Sequence, residues 1–240
     1  MKKEIIDVSR RNVLRGGTLL GATAIVGAPA IVGAASPIRL SFGHGAAAGN
    51  PRSVAAEKFA ELVKAKSGGA IEVMVAGSAQ LGDDSALLTG LRTGSLAISA
   101  NSQGASAAIV PELAALGLPF MFKDSASAIQ LLAGKIGQQL NAKFDAVGIV
   151  PIGWWDNGIR HITNSKRPIK TPDDLKGMKI RTPNDAATVD IFQALGAATA
   201  QIAFAELYVA LQQGVVDGQE NPFNTILSSK FYEVQKYLSV

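Results

Sequence analysis

The sequence predicts an α/β protein of two lobes with a ligand cleft between them. Strand-like and helix-like apolar runs alternate from residue 38 to residue 240. These short βα units fall into two blocks with no flexible linker between them. A hydrophobic fraction of 48% over 240 residues is ample for a real core. The blocks span 36–158 and 159–240, and they follow an N-terminal segment, 1–35, of different composition.

In the first block, Ile38–His44 (IRLSFGH) reads as a strand. Next comes a helix with Asn50 as N-cap, Pro51 as first helical residue and Gly68-Gly69 as the stop. AIEVMVAG is the second strand; Asp83 and Asp84 open the next helix, and LAISANS is the third strand. PELAALGLPFMFKD forms a turn-rich connection to a single long helix, SASAIQLLAGKIGQQLNAKF, and VGIVPIGWWDNG reads as another strand. The second block begins near Arg160. RHITNSKRPIKTPDDLKGMKIRTP gives two strands around a loop and a short helical turn. DAATVDIFQALGA is a helix closed by Gly196, followed by a strand through Ile202. A helix from Phe204 stops at Gly214, a strand runs to Asn221, and SSKFYEVQKYLSV begins a further element.

The formal charge of +4 is concentrated at one end. Residues 1–35 hold five of the 23 Lys/Arg and two of the 19 Asp/Glu, so 18 basic and 17 acidic residues remain. That near-neutral body has no basic stripe interleaved with aromatics, which excludes a nucleic-acid partner. The N-terminal segment instead has the layout of a secretory signal: SRRNVLRGG, then an uncharged run from Gly16 to Ser36. The adjacent Arg10 and Arg11 ahead of a Gly-rich, mildly apolar run resemble the twin-arginine export motif. Cleavage is expected near Ala34 or Ala35, with Ala28-Pro29-Ala30 as a second candidate. An uncleaved anchor is the competing reading, disfavoured by five glycines and Pro29 within the run. The absence of cysteine excludes a lipid-anchored lipoprotein and disulfides.

Catalytic constellations lack parts. FGHGAAAGNPRS has a strand–loop–helix setting, but its glycines are wrongly spaced for a dinucleotide site and no acid ends the second strand. Only His44 and His161 are available, with no cysteine and no G-x-S-x-G elbow, so neither a catalytic residue nor a metal or cofactor is called for. What remains is a set of carboxylate-binding groups. Arg181 ends a short apolar run, and Arg160 follows WWDNGI. The guanidinium fork matches a carboxylate with two parallel hydrogen bonds. Asn221 stands at the C-terminal end of a strand, where open α/β sheets bind ligands. Phe204, at a strand-to-helix junction, and one of Trp154 and Trp155 offer apolar cover.

DLKGMKIRTPN, FAELYVALQQGVVDGQENP, KFYEVQKYL and the earlier QLGDD are similar to the solute-binding proteins of tripartite ATP-independent periplasmic (TRAP) transporters, DctP type. The resemblance extends from about Ile38 to the end of the chain. It implies a two-lobed monomer that closes on an organic acid in the periplasm and hands it to membrane permease subunits. It further implies that Arg181 binds the carboxylate, with Arg160, Asn221 and Phe204 beside it and Asp84 as a polar contact. The family's usual final segment would lie beyond these 240 residues. Gly45 and Ser102 stand where members binding large acidic sugars carry bigger polar residues. Asn101, Gln103, Trp155, Asp156 and Asn157 offer hydroxyl-binding groups and leave a small sugar acid open. A C4-dicarboxylate would use Arg160 and Arg181 together. A receptor for an ATP-driven importer and an exported enzyme acting on organic acids are the rival readings.

Overall fold

A computed structural model describes residues 36–240, so the export signal and its twin arginines lie outside the described residues. Strand β1 (Ile38–His44) passes from exposed to buried along its length, which sets its C-terminal end inside the protein. Helix α1 (Pro51–Lys66) follows with the expected cap: the Asn50 side chain accepts from the Arg52 amide at 2.9 Å, and Pro51 fills the first turn. Strand β2 (Ile71–Ala76) pairs in parallel with β1. Helix α2 (Asp84–Thr93) is capped by Asp83 and ends at a left-handed Gly94, and the short strand β3 (Ile98–Ala100) pairs with the other edge of β1. The result is a parallel three-stranded sheet in the order β2-β1-β3, whose core joins Phe42, Ala56 and Val73.

The segment after β3 departs from the sequence expectation in three places. Gln103–Ala107 forms an additional short helix, α3, and Pro111–Gly117 winds into a 3-10 turn. The single long helix is instead two, α4 (Ser125–Ala133) and α5 (Lys135–Asp145), because Gly134 adopts an extended backbone (φ −97°, ψ −155°). The chain doubles so tightly there that a Cβ on Gly137 would lie 1.7 Å from the Leu132 carbonyl oxygen. The stretch 147–158, expected as a strand, pairs with no strand among the described residues; Pro151 lacks a donor and Trp154 turns into the core of Leu113, Leu140 and Phe144.

The second sheet has five strands in the order β6-β5-β7-β4-β8. They are β4 (Arg160–Asn164), β5 (Lys179–Thr182), β6 (Ala198–Gln201), β7 (Gly218–Pro222) and β8 (Tyr237–Ser239). Strands β5, β6 and β7 run in parallel, and β4 is antiparallel to both β7 and β8. Helices α6 (Ala186–Ala194), α7 (Leu207–Gln212) and α8 (Phe223–Ser228) connect them. The tail resolves into a 3-10 turn at Phe231–Glu233 followed by β8, which adds an edge to this sheet. Among the described residues no helix is long and apolar enough to cross a membrane.

Candidate functional site

Because β4 runs against its neighbours, its first residue lies at the same rim as the last residues of β5 and β7. Arg160 pairs with Pro222, His161 with Asn221, and Arg181 with Gln219. Groups sixty residues apart in sequence therefore meet at one sheet edge, the edge where parallel α/β sheets bind ligands.

The two arginines at this rim have different surroundings. Arg160, with 35% of its side chain exposed, forms an ion pair with Glu220. Its Nε donates to Glu220 Oε2, and its Nη2 donates to Glu220 Oε1 at 2.7 Å, to the Glu220 carbonyl at 2.8 Å and to Asn221 Oδ1 at 3.2 Å. Burial acts to lower its pKa, but the charge and hydrogen bonds of Glu220 outweigh that and raise it. Arg181 is only 3% exposed. Its Nε donates to the Ile202 carbonyl at 2.8 Å, and among the described residues no carboxylate lies within ion-pair distance of it. Burial lowers its pKa to about 10; Glu220 and Asp84 work against the shift and Arg160 with it. A buried guanidinium left in that condition is costly, and a ligand carboxylate would relieve it.

Asn221 is buried, and its amide is already oriented: Nδ2 donates to Gln219 Oε1 at 2.5 Å while Oδ1 accepts from Arg160. The chain of donors continues inward, from Gln219 Nε2 to Thr163 Oγ1 (2.8 Å), from Thr163 to Gln235 Oε1 (3.1 Å) and from Gln235 Nε2 to Ser165 Oγ (2.9 Å). Every donor points away from Arg160.

The first sheet contributes a facing set. Asp84 Oδ2 accepts from the Ser102 amide at 2.9 Å and from the Ser102 hydroxyl at 2.5 Å. Its Oδ1 receives no hydrogen bond from a described residue and lies 3.7 Å from where a Cβ of Gly45 would stand. Asp84 belongs with the arginines electrostatically, since its charge acts on Arg52, Arg160 and Arg181 alike. Arg52 is a third cation here. Its Nη2 donates to Asn157 Oδ1 at 2.7 Å, and burial lowers its pKa, with Asp84 opposing the shift and Arg160 adding to it. Asp185 also acts on Arg160, but its oxygens accept from the Ala187 and Thr188 amides and the Thr188 hydroxyl, capping α6.

Of the residues singled out from sequence, Arg160, Arg181, Asn221, Asp84 and Ser102 thus come into one electrostatically coupled group. Trp155 stands 44% exposed with its ring 6.2 Å from Phe42, while Phe204 packs edge-on against Phe231 at 6.1 Å. Arg52 and Glu220 were not singled out. Each carried a signal, Arg52 directly after the Asn-Pro helix start and Glu220 as an acid inside an otherwise uncharged strand, but only the fold gives them partners. Among the described residues no three His, Asp or Glu side chains gather so as to hold a metal ion.

Two hollows lie apart from this group. One of about 650 Å³, lined by Leu116, Met121, Leu131, Ile136 and Leu140, is apolar; the other, of about 240 Å³, lies between β1 and α2.

Comparison with known proteins matches residues 42–240 to DctP, the bacterial extracellular solute-binding proteins of family 7. An uncharacterised protein of Sinorhizobium fredii is 59% identical over all 240 residues, which span 44% of that protein. The C4-dicarboxylate-binding periplasmic protein of Rhodobacter capsulatus is 36% identical over 225 residues, 93% of this chain and 67% of that one. Among solved structures, the sugar acid binding protein of Advenella mimigardefordensis in complex with galactonate superposes with a TM-score of 0.82 at 39% identity. That match covers 85% of this chain and 66% of the other. The chain therefore spans from under half to about two thirds of the length of these relatives.

Proposed function

This chain belongs to family 7 of the bacterial extracellular solute-binding proteins, the DctP family, and from that premise we propose that it captures an organic acid outside the cytoplasm and delivers it to the membrane subunits of a TRAP-type transporter. One observation carries the reading. Arg181 is 3% exposed and has no carboxylate partner among the described residues, so the site holds a cation whose natural counter-ion is a ligand. In this reading the carboxylate takes the two terminal nitrogens of Arg181 in a bidentate pair, and Asn221, held in place by Arg160 and Gln219, lines the same rim. Phe204 and Trp155 supply apolar cover, and Asp84 and Ser102 face the ligand from the first sheet. The galactonate complex and the C4-dicarboxylate-binding relative support a small carboxylate as cargo. The protein works as a monomer with no chemistry of its own, in two lobes divided near residue 158.

Relatives of this family are periplasmic, and the export route proposed for this chain is the twin-arginine one, through Arg10 and Arg11. Replacing both with Lys and fractionating cells should leave precursor in the cytoplasm; mature protein in the periplasm would assign the general secretory route instead.

The binding reading is tested by titration calorimetry of the full chain against a panel of small organic acids and their methyl esters. Micromolar or tighter binding of at least one acid, lost in its ester, is expected. Equal affinity for acid and ester would overturn the role given to Arg181.

A further inference from the structure

The elements around the first sheet and those around the second meet without sharing an apolar core. Each apolar cluster among the described residues lies wholly on one side: two join residues between Leu40 and Trp154, and two join residues between Ile162 and Val234. Two narrow seams across this boundary are built unlike a core. Contacts of that kind separate at low cost, because parting them exposes little apolar surface.

At the first seam the start of α1 meets the end of α8. Asn50 is 4% exposed, and its Nδ2 donates to Ser228 Oγ at 3.1 Å. Its Oδ1 caps α1, and the Ser228 hydroxyl donates to the Thr225 carbonyl at 3.4 Å, so the protein engages every polar atom of both side chains. At the second seam α3 meets the start of α6. Gly104 is buried in α3, and a Cβ there would stand 3.1 Å from Asp185 Oδ2 and 3.2 Å from Asp185 Cβ. Asp185 is held in place, because its oxygens cap the first turn of α6. The φ of Gly104 lies outside the left-handed region, and inside a helix glycine is less favourable than alanine. Nothing within α3 accounts for this glycine; the approach of Asp185 does. Both seams adjoin the arginine group along the chain, since Asn50 stands two residues before Arg52 and Gly104 two residues after Ser102, the partner of Asp84.

Resting on the carboxylate-binding reading above, we infer that Asn50, Ser228 and Gly104 form a two-point clasp that sets how long the cargo stays bound without touching it. The Asn50–Ser228 bond holds one seam shut, and the missing side chain at Gly104 lets the other close onto Asp185. All three are positioning residues. They act through the distance between the two walls of the site, so they govern release far more than capture.

The full chain tests the clasp with two variants and two readouts. Small-angle X-ray scattering of the ligand-free protein reads the seams alone, and stopped-flow binding of galactonate and of butanedioate reads capture and release. Ser228→Ala leaves the α1 cap in place but strips Asn50 Nδ2 of its acceptor whenever the seam is shut. Release should quicken about three- to tenfold, with capture changed by less than about twofold. Gly104→Ala should enlarge the ligand-free radius of gyration and weaken binding by about tenfold or more. Its melting temperature should stay at or above wild type, because α3 gains a better helix former; a glycine needed only for packing would lower it. Circular dichroism reports whether each variant folds. Wild-type release from a folded Ser228→Ala protein would overturn the clasp, as would a Gly104→Ala protein with the wild-type radius or a lowered melting temperature, and the carboxylate reading would stand. If neither acid nor any other carboxylate binds the wild-type chain, that reading fails and the clasp's role in retention falls with it.

Discussion

Glu220 holds Arg160 across the β4–β7 ladder with both carboxylate oxygens and its own backbone carbonyl, while Arg181 on the next strand has only a peptide oxygen. Two arginines that look alike in the sequence are thus chemically unlike in the fold. The first is held in an ion pair and the second is a buried guanidinium with no carboxylate partner among the described residues.

For Arg181 the consequence is a separation of stability from function. Arg181→Met removes a buried guanidinium that has no carboxylate within ion-pair distance, so the ligand-free protein should melt at or above the wild-type temperature. Binding should fall by about 2–5 kcal/mol, roughly 30-fold to several thousand-fold in Kd. Arg181→Lys should recover little, because an ammonium lacks the planar fork. Calorimetry and a thermal melt on the same samples check both halves; a folded Met variant that binds within threefold of wild type would sink the assignment.

Glu220→Gln should do the reverse. Losing the carboxylate that fills the Arg160 fork should lower the ligand-free stability by about 1–3 kcal/mol, read by urea denaturation. It also gives Arg160 a vacant fork, so affinity for butanedioate should rise several-fold while that for a monocarboxylate changes little. An unaltered preference in this variant would mean that Glu220 does not set the number of carboxylates accepted.

His44 gives the protein an acid-sensitive core. It is 0% exposed and neither ring nitrogen has a partner among the described residues. Burial, chiefly, and the nearby Arg52 push its pKa below 6.5, with Glu57, the Ala46 backbone and Asp84 opposing; burial lowers His161 likewise. Above 6.5 both states are neutral and the histidines contribute no pH dependence. As the pH falls below 6.5 the unfolded chain takes up protons that the native state resists, so stability drops. The carboxylates held low by hydrogen bonds and Lys partners, such as Glu72, Glu112 and Asp174, act only below about 4.5, outside this window. Urea midpoints from pH 7 to pH 5 should decline, and His44→Gln should flatten the slope. A slope unchanged in that variant would assign the effect elsewhere.

Gly137→Ala tests the break between α4 and α5. The added methyl would collide with a backbone oxygen, which no rotamer can relieve, so a loss of about 1–3 kcal/mol or more is expected. Gly148→Ala, where a Cβ meets nothing within 4 Å but φ is +82°, should cost only the left-handed backbone penalty of about 1 kcal/mol. Equal losses at the two positions would argue against the tight approach.

The order of elements was legible because the punctuation is local: Asn50-Pro51, Asp83 and Gly196 each mark an end by chemistry within a few residues. The break at Gly134 was not, since apolar periodicity continues across it, and the close approach of Gly137 to the Leu132 carbonyl exists only once the chain has doubled back. The stretch 147–158 has the composition of a strand, yet a strand needs a neighbour and none pairs with it among the described residues. Arg160 and Arg181 were legible as carboxylate binders by residue type. Their difference was not, because it depends on the β4–β7 register that brings Glu220 to one of them.

The line of amides and hydroxyls running from Arg160 through Asn221, Gln219, Thr163 and Gln235 bears on how this protein can change over generations. Arg160 only gives, and each later member both gives and receives in one direction, so replacing any one reverses or orphans the next. Thr163→Val alone strands two buried glutamines, and only a coordinated exchange at neighbouring positions restores the pattern. Along this line descent should proceed by rare joint substitutions, and homologous sequences should show these positions drifting as a block even though Gln235 stands four hydrogen bonds from Arg160.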